Sequence, residues 1–456
     1  PIQSQISETL SRYDRFTSVI RSALYLEDGG SGARMTDKID RWVMHPILGS
    51  VIFFLIMLII FQAIFAWATG PMDFIESTMG DLSLGIRHIL PLGWFSDLIC
   101  DGLLAGLTGI LVFVPQIAIL FLFIGILEEI GYMARAVSMF DVMMRKFGLN
   151  GRSIVALVSG GACAIPAIMS TRNISNWKER LITILVTPFI SCSARIPVYA
   201  ILIGFAVPKY RWYGFQVQGL ALMGLYGIGI AMALLAAFVL KKIIKADERS
   251  FLMMELPVYR PPVIKNLFYL VFEKTKAFVV GAGKIILIIA LILWFLASFG
   301  PTGKSVTSSG ANIHNVINER PPLEESFAGI LGKTIEPVIA PLGFDWKMGI
   351  ALICSFAARE VFVGTMATIY SVEDDTDVAT IRTHMSRDRD PVTGELIYNK
   401  ATTWSLLIFY VLAMQCMSTL AIVKRETRSW KWPLIQFVMM TGIAYLGSFL
   451  VYQVLH

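Results

Sequence analysis

Charged residues are scarce in this chain of 456 residues, and their scarcity argues against most soluble folds. Only 16% of the residues are Asp, Glu, Lys or Arg, whereas 55% are hydrophobic, and the mean hydropathy is +0.66. A soluble multidomain protein needs more polar surface than this composition supplies. The sequence therefore predicts an integral membrane protein built from apolar helices.

Histidine and cysteine are also sparse, and their placement excludes several chemistries. The five histidines lie in predicted loops, at segment edges or at the terminus, which argues against an intramembrane haem or a histidine-based zinc site. No His-Glu-x-x-His protease motif is present. The five cysteines lie mostly in apolar segments and form an odd set, so no disulfide framework is predicted. The chain begins at Pro1 without a signal peptide, and we expect it to be part of a longer protein.

Apolar segments of membrane-spanning length recur along most of the chain. A helix needs roughly 20 apolar residues to cross the hydrocarbon core of a bilayer. We expect residues 38–456 to form one polytopic transmembrane domain, preceded by an N-terminal amphipathic cytoplasmic helix and linker at 1–37. The predicted segments are 47–69, 109–130, 152–170, 181–206, 214–240, 277–299, 346–370, 402–423 and 432–454.

Two stretches, 142–174 and 337–369, resemble each other at a constant offset of 195 positions, where glycine, alanine, leucine and isoleucine residues coincide. Small or polar residues interrupt both copies, the first at 160–166 and the second at 357–360. Backbone groups freed inside a bilayer must be satisfied by protein or must line a cavity. We therefore expect the two interruptions to lie at a functional cavity.

The distribution of Lys and Arg predicts how the segments are oriented. The stretches 1–46 and 241–276, which hold six and eight Lys and Arg residues, belong in the cytoplasm, and the acidic loop 70–105 belongs outside. The rule holds along the first half when 152–170 is re-entrant, with both ends on one side of the membrane. In the second half, a re-entrant 346–370 brings the later basic loop to the cytoplasm as well.

The predicted fold is an all-α integral membrane protein with an inverted repeat of two halves. Each half has about three spanning helices and one broken or re-entrant segment, and the odd number of spans inverts the second half. Repeat one covers about 109–240, and repeat two covers about 277–454. Paired interrupted segments in the two halves are typical of transporters, whose substrate site lies near those interruptions.

Charged side chains at membrane depth are costly, so each is a candidate functional group. Glu128 and Glu129 end one predicted span, Arg195 lies within another, and Arg359 and Glu360 lie at the second interruption. A structural ion pair or a side chain reaching the membrane surface is the alternative for the acidic residues. For Arg195, we expect a bridge to a neighbouring helix or to backbone carbonyls.

Sulfur atoms provide a second group of candidate ligands. Cys163 lies in the first interruption, and Cys192 and Cys416 lie among polar residues inside predicted spans, with Met133 and Met169 nearby in sequence. Thiolates and thioethers favour softer transition metals, while carboxylates and carbonyls widen the choice toward Fe²⁺ or Mn²⁺. The alternative is that these cysteines and methionines are packing residues.

Several strings in the chain resemble the membrane domain of the ferrous iron transport protein B (FeoB) family. Together they cover most of residues 38–455, and their combination is specific. The acidic pair, which is often Glu-Asp in that family, is Glu-Glu here. The matching strings lie at 113–116, 127–136, 161–167, 179–181, 191–195, 254–259 and 358–365.

The resemblance implies Fe²⁺ uptake across a bacterial cytoplasmic (inner) membrane by a multi-pass protein whose N-terminus is cytoplasmic. It implies that Cys163, Cys192 and Cys416 occupy the positions of the family's candidate iron-handling cysteines. Family members also carry an N-terminal GTP-binding domain that this chain lacks. We therefore expect no enzyme activity in this chain, GTP and Mg²⁺ to act only through that domain, and small cytoplasmic accessory proteins as possible partners. No nucleic-acid partner is expected.

Two other functions remain open on the sequence. A carrier for nucleosides or another small solute would use a similar inverted-repeat architecture, with hydrogen-bonding amides and aromatic side chains at its site. A membrane enzyme or a signalling protein is a weaker alternative, because no nucleophile–base pair is evident.

Overall fold

The computed structural model describes residues 31–45, 47–90, 93–207, 211–212, 215–244, 258–300, 326–356, 359, 361–370, 385, 388–389 and 396–456. The amphipathic helix predicted near the N-terminus and the candidate Glu360 lie outside these residues. The described part is almost wholly helical. A short antiparallel ribbon, β1 (Arg211–Trp212) and β2 (Phe215–Gln216), pairs Arg211 with Gln216.

The first half consists of long helices followed by short, interrupted ones. A π-helical turn, Leu98–Leu104, joins α3 to α4, and 3-10 turns follow α8 and α9. The helices are α1 (Ser31–Val43), α2 (Leu48–Ile89), α3 (Trp94–Asp97), α4 (Ala105–Leu111), α5 (Phe113–Ile130), α6 (Tyr132–Lys146), α7 (Ser153–Gly160), α8 (Ala164–Ser170), α9 (Trp177–Val186), α10 (Ile196–Ala206) and α11 (Val217–Ile244).

The second half has a similar succession of long and interrupted helices. A π-helical segment, Val279–Gly283, joins its first two helices, and a 3-10 turn, Ala340–Leu342, follows the third. The helices are α12 (Ile264–Phe278), α13 (Lys284–Ser298), α14 (Phe327–Ile339), α15 (Trp346–Ser355), α16 (Val361–Ile369), α17 (Lys400–Leu412), α18 (Met417–Thr427) and α19 (Lys431–Leu455).

Apolar helices of spanning length dominate the described residues. Six stretches have the length and composition to cross a membrane, or up to eight when two bent helix pairs are each counted as one span. Large apolar side chains are exposed along α2, α11, α12 and α19, as expected of surfaces that face lipid. The predicted all-α membrane architecture is therefore confirmed, whereas the inverted orientation of the two halves stays a prediction.

The prediction of a loop at 70–105 is wrong, because most of this stretch is helical, whereas its outer location stays a prediction. Helix α2 continues through Pro71 to Ile89, and helical structure resumes at Trp94 and runs to Ile130. The acidic residues of α2 in this stretch are exposed, while Met72, Ile75 and Met79 form a partly buried stripe. That stripe has helical spacing, so a helix can form here despite the charges.

The predicted spans 181–206 and 402–423 lie in stretches long and apolar enough to cross a membrane, but each contains a break in the helix that the sequence did not predict. The first is interrupted between α9 and α10, where Ile190 and Cys192 adopt extended backbone angles. The second is interrupted between α17 and α18, where Ala413 and Cys416 are extended. Proline and the polar side chains beside it disfavour a regular helix at the first of these breaks.

Long polar side chains donate hydrogen bonds to backbone carbonyls that have no helical partner at these breaks. Arg195 is fully buried and donates to the carbonyls of Val411, at 2.8 Å, and Pro188, at 3.1 Å. In the other direction, the Gln436 side-chain amide on α19 donates to the carbonyls of Ile184 and Leu185 near the end of α9. The expectation that Arg195 bridges to backbone carbonyls is confirmed.

We predict that Arg195→Met destabilises the protein by on the order of 3 kcal/mol, because two buried carbonyls lose charge-assisted hydrogen bonds. The thermal midpoint of the detergent-solubilised protein measures the loss. Arg145→Met is a suitable control, since Arg145 is half-exposed and pairs with Asp141 one helical turn away. An equal midpoint for the two variants would contradict the bridging role.

Candidate functional site

Helix breaks from both halves of the chain meet around one cavity of about 100 Å³. The sulfur-bearing residues Cys163, Cys192 and Cys416 all contribute to its wall. Each is the extended residue that immediately precedes a helical segment. These segments begin at the cavity, so the interruptions bring three cysteines that are far apart in sequence to one place.

Hydrogen bonds join the breaks in pairs. Ser193 donates from its hydroxyl to the carbonyl of Ala162 at 3.0 Å, which connects the break between α9 and α10 to the break between α7 and α8. The amide of Gln116 on α5 donates to the Ser193 hydroxyl at 3.0 Å. In the second half, the Met417 backbone N–H donates to the carbonyl of Phe356 at 3.0 Å. In each half, a hydrogen bond therefore joins one helix break to the next break along the chain.

Arg359 brings a positive charge to the cavity wall. It is only 5% exposed, and its Nη2 lies 3.3 Å from the carbonyl of Ala413, to which it donates. Its Nη1 has no hydrogen-bond partner within the described part of the chain. The other polar groups on the wall are the hydroxyls of Ser193, Ser418 and Thr419 and the amide of Gln116.

The chemistry of the wall suits a soft or borderline metal ion, since thiols are among its polar groups. Across the residues the structure describes, no three His, Cys, Asp or Glu side chains are close enough to hold a metal ion together. None of the five cysteines forms a disulfide. The thiols therefore share the walls of a cavity without forming a finished coordination sphere.

The other candidate ligands lie away from this cavity wall. Glu128 is exposed, and the half-buried Glu129 accepts a hydrogen bond from the Val263 backbone N–H at 2.6 Å. Met133 lines a separate small apolar pocket beside Phe53. Met169 is buried in an apolar cluster next to the cavity.

A junction near Glu129 involves residues that the sequence analysis did not select individually. Arg135 is 1% exposed and binds both carboxylate oxygens of Asp40, at 2.9 and 3.1 Å. Its guanidinium lies 4.2 Å from the ring centroid of Tyr259, whose hydroxyl also donates to Asp40. Burial raises the pKa of Tyr259 to about 12, so the phenol stays protonated as a donor at neutral pH. Arg135 and Tyr259 lie in the matching strings at 127–136 and 254–259, but nothing in the sequence pairs either of them with Asp40.

Comparisons with known proteins agree with this architecture. A family model described as "Gate: Nucleoside recognition" matches residues 110–206 and 279–430, more than half of the chain. A second family model, "Ferrous iron transport protein B C terminus", matches residues 222–274. The chain belongs to the FeoB family. The two Gate blocks contain the cavity cysteines, Cys163 and Cys192 in the first and Cys416 in the second.

Curated FeoB relatives match nearly the whole chain. An "Fe(2+) transporter FeoB" of Leptospira interrogans is 44% identical over 98% of this chain and 63% of its own length. One of Staphylococcus aureus is 37% identical over 92% of the chain and 59% of its length. A Porphyromonas gingivalis "Fe(2+) transport protein A/Fe(2+) transporter FeoB fusion protein" is 36% identical over 92% of the chain and 51% of its length. The chain thus spans less than two thirds of these FeoB relatives. No solved structure matches.

We predict that anaerobic Fe²⁺, or Cd²⁺ as a soft substitute, protects Cys163, Cys192 and Cys416 together from alkylation by N-ethylmaleimide. A metal ion in the shared cavity would engage or shield these thiols, and quantitative mass spectrometry of each cysteine measures the protection. Cys354 is the internal control, because it is partly buried and does not line the cavity. Equal protection of Cys354 would indicate a general effect and contradict the site.

Proposed function

We propose that this chain forms the membrane core of a ferrous iron (Fe²⁺) transporter. The observation that carries the proposal is the convergence of Cys163, Cys192 and Cys416, drawn from both Gate blocks, on one cavity at helix breaks. The transporter names of its FeoB relatives support the same cargo. The chain itself is proposed to be a transporter and not an enzyme.

Fe²⁺ would exchange water for sulfur and oxygen ligands as it enters the cavity. The hydroxyls of Ser193, Ser418 and Thr419 and the carbonyls at the breaks offer oxygen, and the thiols offer softer ligands. Conduction requires sites that bind well enough to admit the ion and weakly enough to release it. A cavity whose ligands are not already gathered into a complete sphere meets the second requirement.

The distribution of Lys and Arg supports one orientation in the membrane. We propose an inner-membrane location with a cytoplasmic N-terminus, because Lys and Arg concentrate in the segments that this orientation leaves inside. GTP and Mg²⁺ would act through a part of the longer protein outside this chain. The fusion of a transport protein A to one relative supports a small cytoplasmic accessory partner.

A nucleoside carrier is the second candidate, because the description of the Gate family model names nucleoside recognition. The cavity of about 100 Å³ favours an ion over an organic solute, since pockets for drug-sized ligands start at roughly 300 Å³. Competition for Fe²⁺ uptake by nucleosides in proteoliposomes separates the two functions. The iron transporter should be insensitive to nucleosides.

We predict that Cys163→Ser combined with Cys192→Ser lowers Fe²⁺ uptake at least tenfold in cells that depend on the full-length protein for iron. A tenfold loss corresponds to about 1.4 kcal/mol, a modest value for replacing two soft ligands with hydroxyls. Cys416→Ser should reduce uptake in the same direction. Uptake of ⁵⁵Fe²⁺ at matched protein levels is the measurement.

Cys100→Ser and Cys354→Ser are the matched controls, because neither residue lines the cavity. Both should keep wild-type uptake when their membrane levels are equal. Undiminished uptake by the double variant would remove the thiols from the transport mechanism.

A further inference from the structure

Two helical segments lead from the cavity toward the same surface of the protein. One is α8 with its following 3-10 turn, which begins after Cys163, and the other is α18, which begins after Cys416. The two segments pack against each other. At 1.5 Å per helical residue, each extends roughly 14 Å from its cysteine.

Apolar side chains close the space between these segments immediately beyond the cavity. Ile168 on α8 and Val423 on α18 are wholly buried, and Met169 and Ile422 are nearly so. All four belong to one apolar cluster, which also includes Phe278 at the end of α12. A divalent cation cannot cross this cluster while it stays packed, because it would lose its polar ligands.

Beyond this cluster, an ion-pair clasp joins the two segments at their far ends. Glu426, ten positions after Cys416, accepts from Arg172, nine positions after Cys163, at 2.6 Å. It also accepts from Arg180 on α9 at 2.7 Å. The Glu426 side chain is only 3% exposed, so both carboxylate oxygens are committed to the two guanidinium groups.

The clasp is built asymmetrically. The carboxylate is buried, but the Arg172 side chain is 44% exposed and that of Arg180 is 19% exposed. The arginines can therefore move toward solvent, whereas Glu426 would be left behind as a buried, uncompensated carboxylate. Such a group is costly unless another cation replaces the lost partner.

We propose that the clasp of Glu426, Arg172 and Arg180 is the inner gate of the transport path, and that Glu426 receives the divalent cation when the arginines release it. This inference rests on the proposed function for the identity of the cargo. Parting of α8 and α18 opens the apolar cluster and the clasp together. The cation leaving the cysteine cavity then meets a carboxylate that it compensates, at the surface where the basic loops predict the cytoplasm.

The test follows how accessible the cavity cysteines are from the cytoplasmic side. Everted membrane vesicles that contain the full-length protein are treated with a membrane-impermeant methanethiosulfonate reagent, and modification of Cys163 and Cys416 is measured by mass spectrometry. Glu426→Gln should raise the modification rate of both cysteines about tenfold, because the closed state loses two charge-assisted contacts. Arg145→Gln, which breaks a pair confined to α6 and changes only its half-exposed arginine, should leave the rate unchanged.

A mutant cycle distinguishes a clasp from general loosening. Arg172→Gln with Arg180→Gln should raise the rate as Glu426→Gln does, and the triple variant should add little more, since all three changes remove one interaction. An unchanged rate in Glu426→Gln, or full additivity in the triple variant, would overturn the gate. If Glu426→Gln does not fold, Arg172→Gln alone decides, because its more exposed side chain makes it the milder change.

The readout needs no iron, so it is independent of the proposed cargo. Faster modification in Glu426→Gln, together with undiminished iron uptake in the cysteine variants, would retain the gate and reject thiol-mediated iron transport. Slow modification with cysteine-dependent uptake would retain the transporter and reject this gate.

Discussion

The fold depends on side-chain hydrogen bonds to the backbone carbonyls that lose their partners where helices are interrupted. Arg195 of the first half donates to the carbonyl of Val411 in the second, and Gln436 of the second half donates to Ile184 in the first. These contacts cross between halves, so the two sets of breaks stabilise each other. Without them, the breaks after α9 and α17 would leave buried carbonyls unpaired, which is costly in a medium that offers no water.

This constraint also explains why the cavity wall carries arginine although the proposed cargo is a cation. Arg359 donates to the carbonyl of Ala413 at the break beside Cys416, so its guanidinium satisfies a carbonyl that the helix interruption releases. A neutral side chain of similar length would make a weaker hydrogen bond to that carbonyl. The positive charge on the cavity wall is the consequence of this hydrogen bond, and the proposed cargo would meet it beside the cysteine thiols and hydroxyls of the same wall.

The interruptions at 160–166 and 357–360 could be predicted, because glycine, proline or a charged pair marked them within apolar sequence. The structure describes the first, between α7 and α8, and part of the second. The interruptions inside 181–206 and 402–423 were missed, since high hydropathy there outweighed Pro188 and the polar residues beside Cys192 and Cys416. The partners of Glu129 and Arg135 could not be predicted at all, because Val263 and Asp40 are distant in sequence and only the tertiary fold brings them close.

Glu426 is another residue whose surroundings could not be predicted from the neighbouring sequence. In the sequence it lies within a basic loop, where a lone acid is expected to be solvated. In the structure it is buried against Arg172 and Arg180, which follow α8, and it lies in the last turn of a helix that starts at a cavity cysteine. Because α18 carries Cys416 at one end and Glu426 at the other, any movement that separates its outer end from Arg172 also changes the wall of the cavity. In the proposed gate, cavity and clasp would therefore be coupled through one helix, and a cation in the cavity would influence opening without a further relay.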